Sequence, residues 1–423
     1  MKASYTPVKI PVGETEIEAS VPNLKGVIAP AKIPGVKNMR AEIRRAIGNP
    51  IESPRLKDIA RGKKDAAIIV NDITRPYPGG LIVEEVAREL AAAGFRDDQI
   101  FLVVAYGEHR FNTPSELCAM LGEEVVKRFR IVHHDALDEA RLVTVGKTDG
   151  GVVVQINKEF AEAAVKIVTG CVTPHQLAGY SGGRKSVIPG IAGINSLKAH
   201  HSFPIRPKAS SMGWLKGNPF HEEALAAAYI AGVDFIVNSV DNAERELVAC
   251  VAGELNAAHL KGVEICAKIW TVRVAGKADV VIVSPGGYPR DFDLHQAQKA
   301  VGCAEMLCRE GGQIILCAEA RDGVGKFGKV LADAANPQEV IDNFTRYGYT
   351  PEKVSKAYMW ARAVQHFKLS VACSRIGRAE LESMFLEGFD TVEEAVATAL
   401  HRYGDDATFM VIPHASDVTP IVG

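Results

Sequence analysis

"VKIVTGCVTPHQLAGYSGGRK", Val165 to Lys185, holds the reading that decides the fold. It begins as a short, near-continuous apolar run rich in β-branched residues, and stops in a polar loop of glycine, proline and serine. A strand apolar on both faces is covered on both faces, which is the habit of a parallel sheet. The same order recurs at "AAIIV" (Ala66–Val70) before "NDITRPYPGG", at "IFLVVAY" (Ile100–Tyr106) before "GEHRFNT", and at "FIVNSV" (Phe235–Val240) before "DNAER". Helical patterns lie between them. "GLIVEEVARELAAAGF" sets Leu81, Val86 and Leu90 at helical spacing with Gly94 as a stop, and "NPFHEEALAAAYIAG" offers Asn218 as N-cap, Pro219 at the first turn and Gly232 at the end. Alternating strands and helices predict an α/β fold with mainly parallel sheets.

The pattern restarts at "KADVVIVSPGGYP" (Lys277–Pro289) and continues through "GGQIILCAEA" and "KLSVACS". With 423 residues the chain exceeds the size at which one core keeps growing. Two α/β domains are expected, an N-terminal one over 1–270 and a smaller one over 272–399, with an active-site cleft between them. The last apolar run, "ATFMVIPHAS", is expected to return to the first domain within 400–423.

A hydrophobic share of 47% with 24% charged residues is that of an ordinary globular protein, and a net charge of -2 supplies no field for nucleic acid or an anionic membrane. The opening "MKASYTPVKIPVG" has no apolar core and no later segment runs long enough without charge to span a bilayer, so a cytoplasmic protein is expected. The eight cysteines contain no C-x-x-C pair and read as reduced core residues. Cys171 stands apart because it falls inside the opening loop.

In open α/β sheets ligands bind beyond the carboxyl ends of the strands. That rule selects Asp72 and Arg75, His109 and Arg110, His175 with the Arg184–Lys185 pair, and Asp291, Asp293, His295, Gln296 and Lys299. "GYSGGRKS" is not a P-loop: Arg184 occupies the position where that motif needs glycine, and Pro189 interrupts the helix it requires. Ser181, Gly182 and Gly183 can still offer backbone N–H groups to an anion, or simply form a tight turn. Arg184 beside Lys185 lowers the lysine pKa and raises its share of free, nucleophilic amine. His109 and His175 are two acid–base groups suited to opposite faces of one substrate, with Asp72 to orient one of them; ordinary loop histidines are the plainer reading. Gln296 and Lys299 share a face if a helix begins near Asp293, and an amide with a cation suits a small carboxylate.

Taken together, "DITRPYP" (Asp72–Pro78), "GEHR" (Gly107–Arg110), "PHQLAGYSGGRKSVIPG" (Pro174–Gly190), "AHHSFP" (Ala199–Pro204) and "PGGYPRDFDLHQAQK" (Pro285–Lys299) resemble the nickel-dependent lactate racemase family. The resemblance implies an isomerase that interconverts stereoisomers of a 2-hydroxyacid by reversible hydride transfer. Its cofactors would be nickel and pyridinium-3,5-bisthiocarboxylic acid mononucleotide, held covalently on Lys185 and near Ser181, Gly182, Gly183 and Arg184. His201, with His200 as the alternative, would be the protein's nickel ligand, because the pincer brings sulfur and carbon donors of its own. His109 and His175 would move the hydroxyl proton, and Asp72 would support His109. Arg75, Gln296 and Lys299 would hold the carboxylate, and His295 and Trp360 would border the pocket. The implied partners are the small hydroxyacid and the cofactor-assembly enzymes. The chain departs from the lactate enzyme's pattern at His295, where a tyrosine is expected, and at Glu108, so the identity of the acid is open. A metal-free isomerase or lyase using Lys185 as a Schiff base, and a non-catalytic cofactor-binding relative, are the competing readings.

Overall fold

Every apolar run read from the sequence folds as a strand, and these strands build two six-stranded sheets. The computed structural model describes residues 4–202, 212–348, 354–416 and 418–423. In the first sheet the spatial order is Leu247–Gly253, Phe235–Asp241, Val165–Cys171, Ala66–Asn71, Ile100–Ala105, Arg130–His133. All neighbours are parallel except the first pair. The strand Ala66–Asn71 is buried along its first five residues, as a strand covered on both faces must be. Its cover on one face includes the helix Gly79–Ala92, which buries Val86 and Leu90 and is followed by Gly94 at φ +97, a left-handed stop that glycine adopts without a Cβ clash.

The second sheet is parallel throughout, ordered Glu387–Phe389, Lys368–Ala372, Cys308–Cys317, Ala278–Val283, Phe409–Ile412, Leu24–Val27. The expectation that the last apolar run rejoins the first domain is corrected here: Phe409–Ile412 is fully buried between Ala278–Val283 and Leu24–Val27. The second sheet offers the apolar flank of Ala278–Val283 instead. The chain's beginning goes the same way. The hairpin of Tyr5–Val12 and Thr15–Pro22 packs Val8, Ile10 and Val21 in one cluster with Val280, Ile282 and Phe409. Residues 5–27 therefore sit on the second sheet and not within the unit expected to begin at residue 1.

In each sheet the chain winds first to one side and later to the other, so each has a switch point where adjacent loops diverge and leave a crevice. In the first sheet it lies between Ala66–Asn71 and Val165–Cys171, and in the second between Ala278–Val283 and Phe409–Ile412. The two crevices face one another. Between them is a cavity of about 640 Å3 lined from both sides.

Candidate active site

Asp72, Arg75, His109, His175, Ser181, Gly182, Lys185, His201, His295, Gln296 and Lys299 all line this one cavity. Loops at strand ends supply Asp72, Arg75, His109 and His175, the turn Gly183–Ser186 supplies Lys185, the end of the helix Ile194–His201 supplies His201, and the helix Leu294–Ala304, N-capped by Asp293 through the Gln296 N–H, supplies His295, Gln296 and Lys299. Lys299 Nζ donates to Gln296 Oε1 one turn back, as the i,i+3 spacing predicts.

His109 Nδ1 lies 2.6 Å from Asp72 Oδ2. A carboxylate oxygen accepts, so Nδ1 carries the proton and Nε2 is turned toward the reacting side. Asp72 is 3% exposed and is itself fixed by the Thr74 hydroxyl at 2.7 Å. Burial alone would raise its pKa, but the charge and hydrogen bond of His109, with help from Thr74 and Arg75, bring it below the ordinary value.

His175 is oriented by a different device. The N–H groups of Leu177 and Ala178 both point at its Nδ1, each at 3.2 Å. Nδ1 must then hold the lone pair, and the neutral ring keeps its proton on Nε2. Nε2 lies 2.9 Å from Lys185 Nζ. The bond therefore runs from imidazole to amine, and an amine that accepts a hydrogen bond is uncharged. Burial first, and then the cations Arg75, Arg184 and Lys356, push the lysine well below its usual pKa. Burial and Lys185 do the same to His175. Both effects favour the uncharged, nucleophilic form of Lys185, which can be acylated or condense with a carbonyl.

Arg184 and Gly183 do not reach the cavity, which corrects their assignment as cofactor contacts. Arg184 is 0% exposed. Its guanidinium turns back to donate to the carbonyls of Ala178, Tyr180, Ser181 and Gly182 and meets His259 Nε2 at 2.7 Å. Two of the three N–H groups of the expected anion nest are taken up internally: Ser181 N–H donates to Thr173 O and Gly183 N–H to Asn238 Oδ1. Gly182, at φ +79, is required because a Cβ there would lie 3.0 Å from the Cys171 carbonyl and from Asn238. The glycines serve the turn that presents Lys185.

Of the adjacent histidines, His201 lines the cavity and His200 does not. His200 is 2% exposed and donates from Nε2 to Phe220 O. His201 donates from Nδ1 to Leu197 O at 3.1 Å, which leaves the lone pair on Nε2. Phe203 and Pro204 of the same motif lie outside the described residues. Trp360 is corrected as well: it is 1% exposed and stacks on Phe327, which in turn meets His295. It stands behind the wall, and His295 faces the cavity. Sequence reasoning passed over Lys356, which lines the cavity one helical turn before Trp360 and donates to Gln298 Oε1.

A two-domain α/β protein with a buried amine, two oriented imidazoles and an amide–cation pair lining one cleft has the groups for proton transfer and for nucleophilic chemistry. The comparisons identify the class. A family model described as the lactate racemase N-terminal domain matches residues 12–213, and one described as the lactate racemase C-terminal domain matches 274–420. The chain is 32% identical to the lactate racemase of Thermoanaerobacterium thermosaccharolyticum, over 97% of this chain and 98% of that protein. It is 36% identical to that of Lactiplantibacillus plantarum over 88% of each. The solved structure of the lactate racemase apoprotein from Thermoanaerobacterium thermosaccharolyticum superposes with a TM-score of 0.90 over 99% of this chain and 100% of that one. A Thermotoga maritima protein at 17% identity and TM-score 0.69 shares the fold alone. The chain belongs to the lactate racemase family and is an isomerase of the racemase type.

Proposed function

We propose that this protein racemises or epimerises a 2-hydroxyacid, lactate or a related acid, with a nickel-pincer pyridinium nucleotide held on Lys185. The observation that carries the reading is the buried Lys185 amine, 2.9 Å from His175 Nε2, inside a cavity that His109, His201 and Lys299 also line. These residues fit such a cofactor. The amine is free to form the thioamide, and His201 turns an imidazole lone pair toward the same space. Among the described residues no group of three or more His, Cys, Asp or Glu side chains is placed to hold a metal, so a nickel ion here needs donors brought by the cofactor. When bound, the cofactor supplies a hydride acceptor.

The protein's own residues do the rest. Arg75, Gln296 and Lys299 hold the substrate carboxylate. His109 Nε2 takes the hydroxyl proton on one face and His175 Nε2 returns it on the other, exchanging roles with the substrate's hand. Asp72 keeps the His109 tautomer and stabilises its charged form, as carboxylates do in triads. Proline- and glycine-bearing loops from both sheets exclude water from the planar ketoacid.

Protein produced together with the cofactor-assembly enzymes is expected to gain mass on Lys185 and to contain nickel, read by intact-mass and metal analysis. Active protein with neither, trapped on Lys185 by borohydride with its substrate, would instead establish the Schiff-base reading. His109→Ala or His175→Ala should each lower interconversion by about 10^2- to 10^4-fold while leaving the Lys185 adduct in place. Near-normal rates in both variants would sink the two-base assignment.

A further inference from the structure

A second cavity, of about 330 Å3, opens beside the first. The two share Arg75, Cys171, His175, Gln296 and Lys299, so the groups assigned to the carboxylate and to one proton stand at the doorway between them. His109, Lys185 and His201 line only the first. The side chamber sits where the two switch points meet: Thr173 and Asp241 come from the first sheet's strand ends, and Phe292 and Ser416 from the second's. A methyl group cannot fill such a space.

Its lining also says what it takes. Asp241 Oδ1 and Ser416 Oγ are both buried, and neither has a hydrogen-bond partner among the described residues. Asp241 Oδ2 is held by the Ser239 hydroxyl at 2.7 Å, which fixes the carboxyl on the chamber wall. Buried polar groups without partners carry a desolvation penalty that a ligand relieves by bringing hydrogen-bonding groups, a donor for an ionised Asp241 Oδ1 and a donor or an acceptor for the Ser416 hydroxyl. An aliphatic chain brings none. A second carboxylate brings only acceptors, which suit Arg245 and Arg290 on the same lining but not the Asp241 oxygen when it is ionised. Hydroxyl groups donate and accept, and so suit both oxygens. Burial raises the Asp241 carboxyl to about 7, so it too can act as donor or acceptor near neutrality.

We propose that this chamber receives the substrate's chain beyond C3, and that the preferred substrate is a 2-hydroxyacid of more than three carbons bearing further hydroxyl groups. This rests on the racemase reading above. The test uses cofactor-loaded enzyme and four acids: lactate, an unsubstituted six-carbon 2-hydroxyacid, a six-carbon polyhydroxy acid and a four-carbon 2-hydroxydiacid, with stereoisomers separated by chromatography. The polyhydroxy acid is expected to show the highest kcat/KM, by about tenfold or more over the unsubstituted one, the discrimination that hydrogen-bonding sites give. Asp241→Leu should lower its kcat/KM at least tenfold more than that of lactate, and Asp241→Asn, which keeps a donor and an acceptor, should restore most of it. Preference for the unsubstituted acid or the diacid, or an equal effect of Asp241→Leu on all substrates, overturns the proposal. Loaded enzyme that turns over none of the four overturns the racemase reading itself, a different result.

Discussion

Lys185 and Arg184 are neighbours in sequence with opposite fates. The lysine enters the cavity and the arginine is buried behind it, its charge spread over four carbonyls and His259 with burial lowering its pKa to about 9. The sequence argument that a cation beside Lys185 depresses its pKa holds in direction, but burial is the larger cause and Arg75 precedes Arg184 among the charges. Replacing Arg184 with methionine strips the loop of its donors and leaves buried carbonyls unpaired. The expected loss is about 3 kcal/mol or more by urea titration, with Lys185 loading reduced. An unchanged midpoint would show that the loop holds itself. Asp72→Asn, by contrast, should spare stability and lower kcat by about 10^2-fold or more, because the His109 tautomer is no longer fixed; a change confined to KM would contradict that role.

At the scale of elements, the helix Pro219–Ile230 illustrates how a cap becomes part of the site. Asn218 accepts from Phe220 N–H as the sequence predicts, but its amide also donates to Leu177 O and Trp214 O. Leu177 is one of the two residues whose N–H groups orient His175. Asn218→Ala should therefore cost about 1–2 kcal/mol of stability and also reduce kcat, by loosening His175. A stability loss with kcat intact would confine Asn218 to capping. The helix Leu294–Ala304 was partly legible in the same way: a start near Asp293 and the shared Gln296–Lys299 face follow from spacing, and the structure makes Asp293 the N-cap. The nest was not, because whether Ser181 and Gly183 N–H groups face a ligand or a neighbouring oxygen depends on Thr173 and Asn238.

The whole molecule is expected to be acid-sensitive. His134 and His221 are held at about 4 and His259 well below 6.5, each chiefly by burial. Below 6.5 the unfolded chain binds protons that the folded chain refuses, so stability rises with pH across that window and is lost as pH falls. Each histidine contributes a slope of up to about 1.4 kcal/mol per pH unit. Asp241, at about 7, binds a proton in the folded state that the unfolded chain lacks, and offsets about one of them. His134→Asn, at a position that does not line the cavity, should flatten the dependence of unfolding free energy on pH between 6 and 5 by about that slope. No change in slope would mean that His134 is protonated in the folded protein.

The sequence by itself determined the strands, the helices, their caps and the loops that carry chemistry, because hydrophobic period and turn residues act over a few neighbours. It also selected Asp72, His109, His175, Lys185, Gln296 and Lys299, through the rule that strand ends bear the site. Only the tertiary structure decided which sheet the two ends of the chain join, since a buried parallel strand such as Phe409–Ile412 is apolar whatever its neighbours. It also chose between His200 and His201, turned Arg184 and Trp360 away from the cavity, and brought Asp241 and Ser416 to one wall. These outcomes depend on contacts between residues distant in sequence, and no local pattern records them.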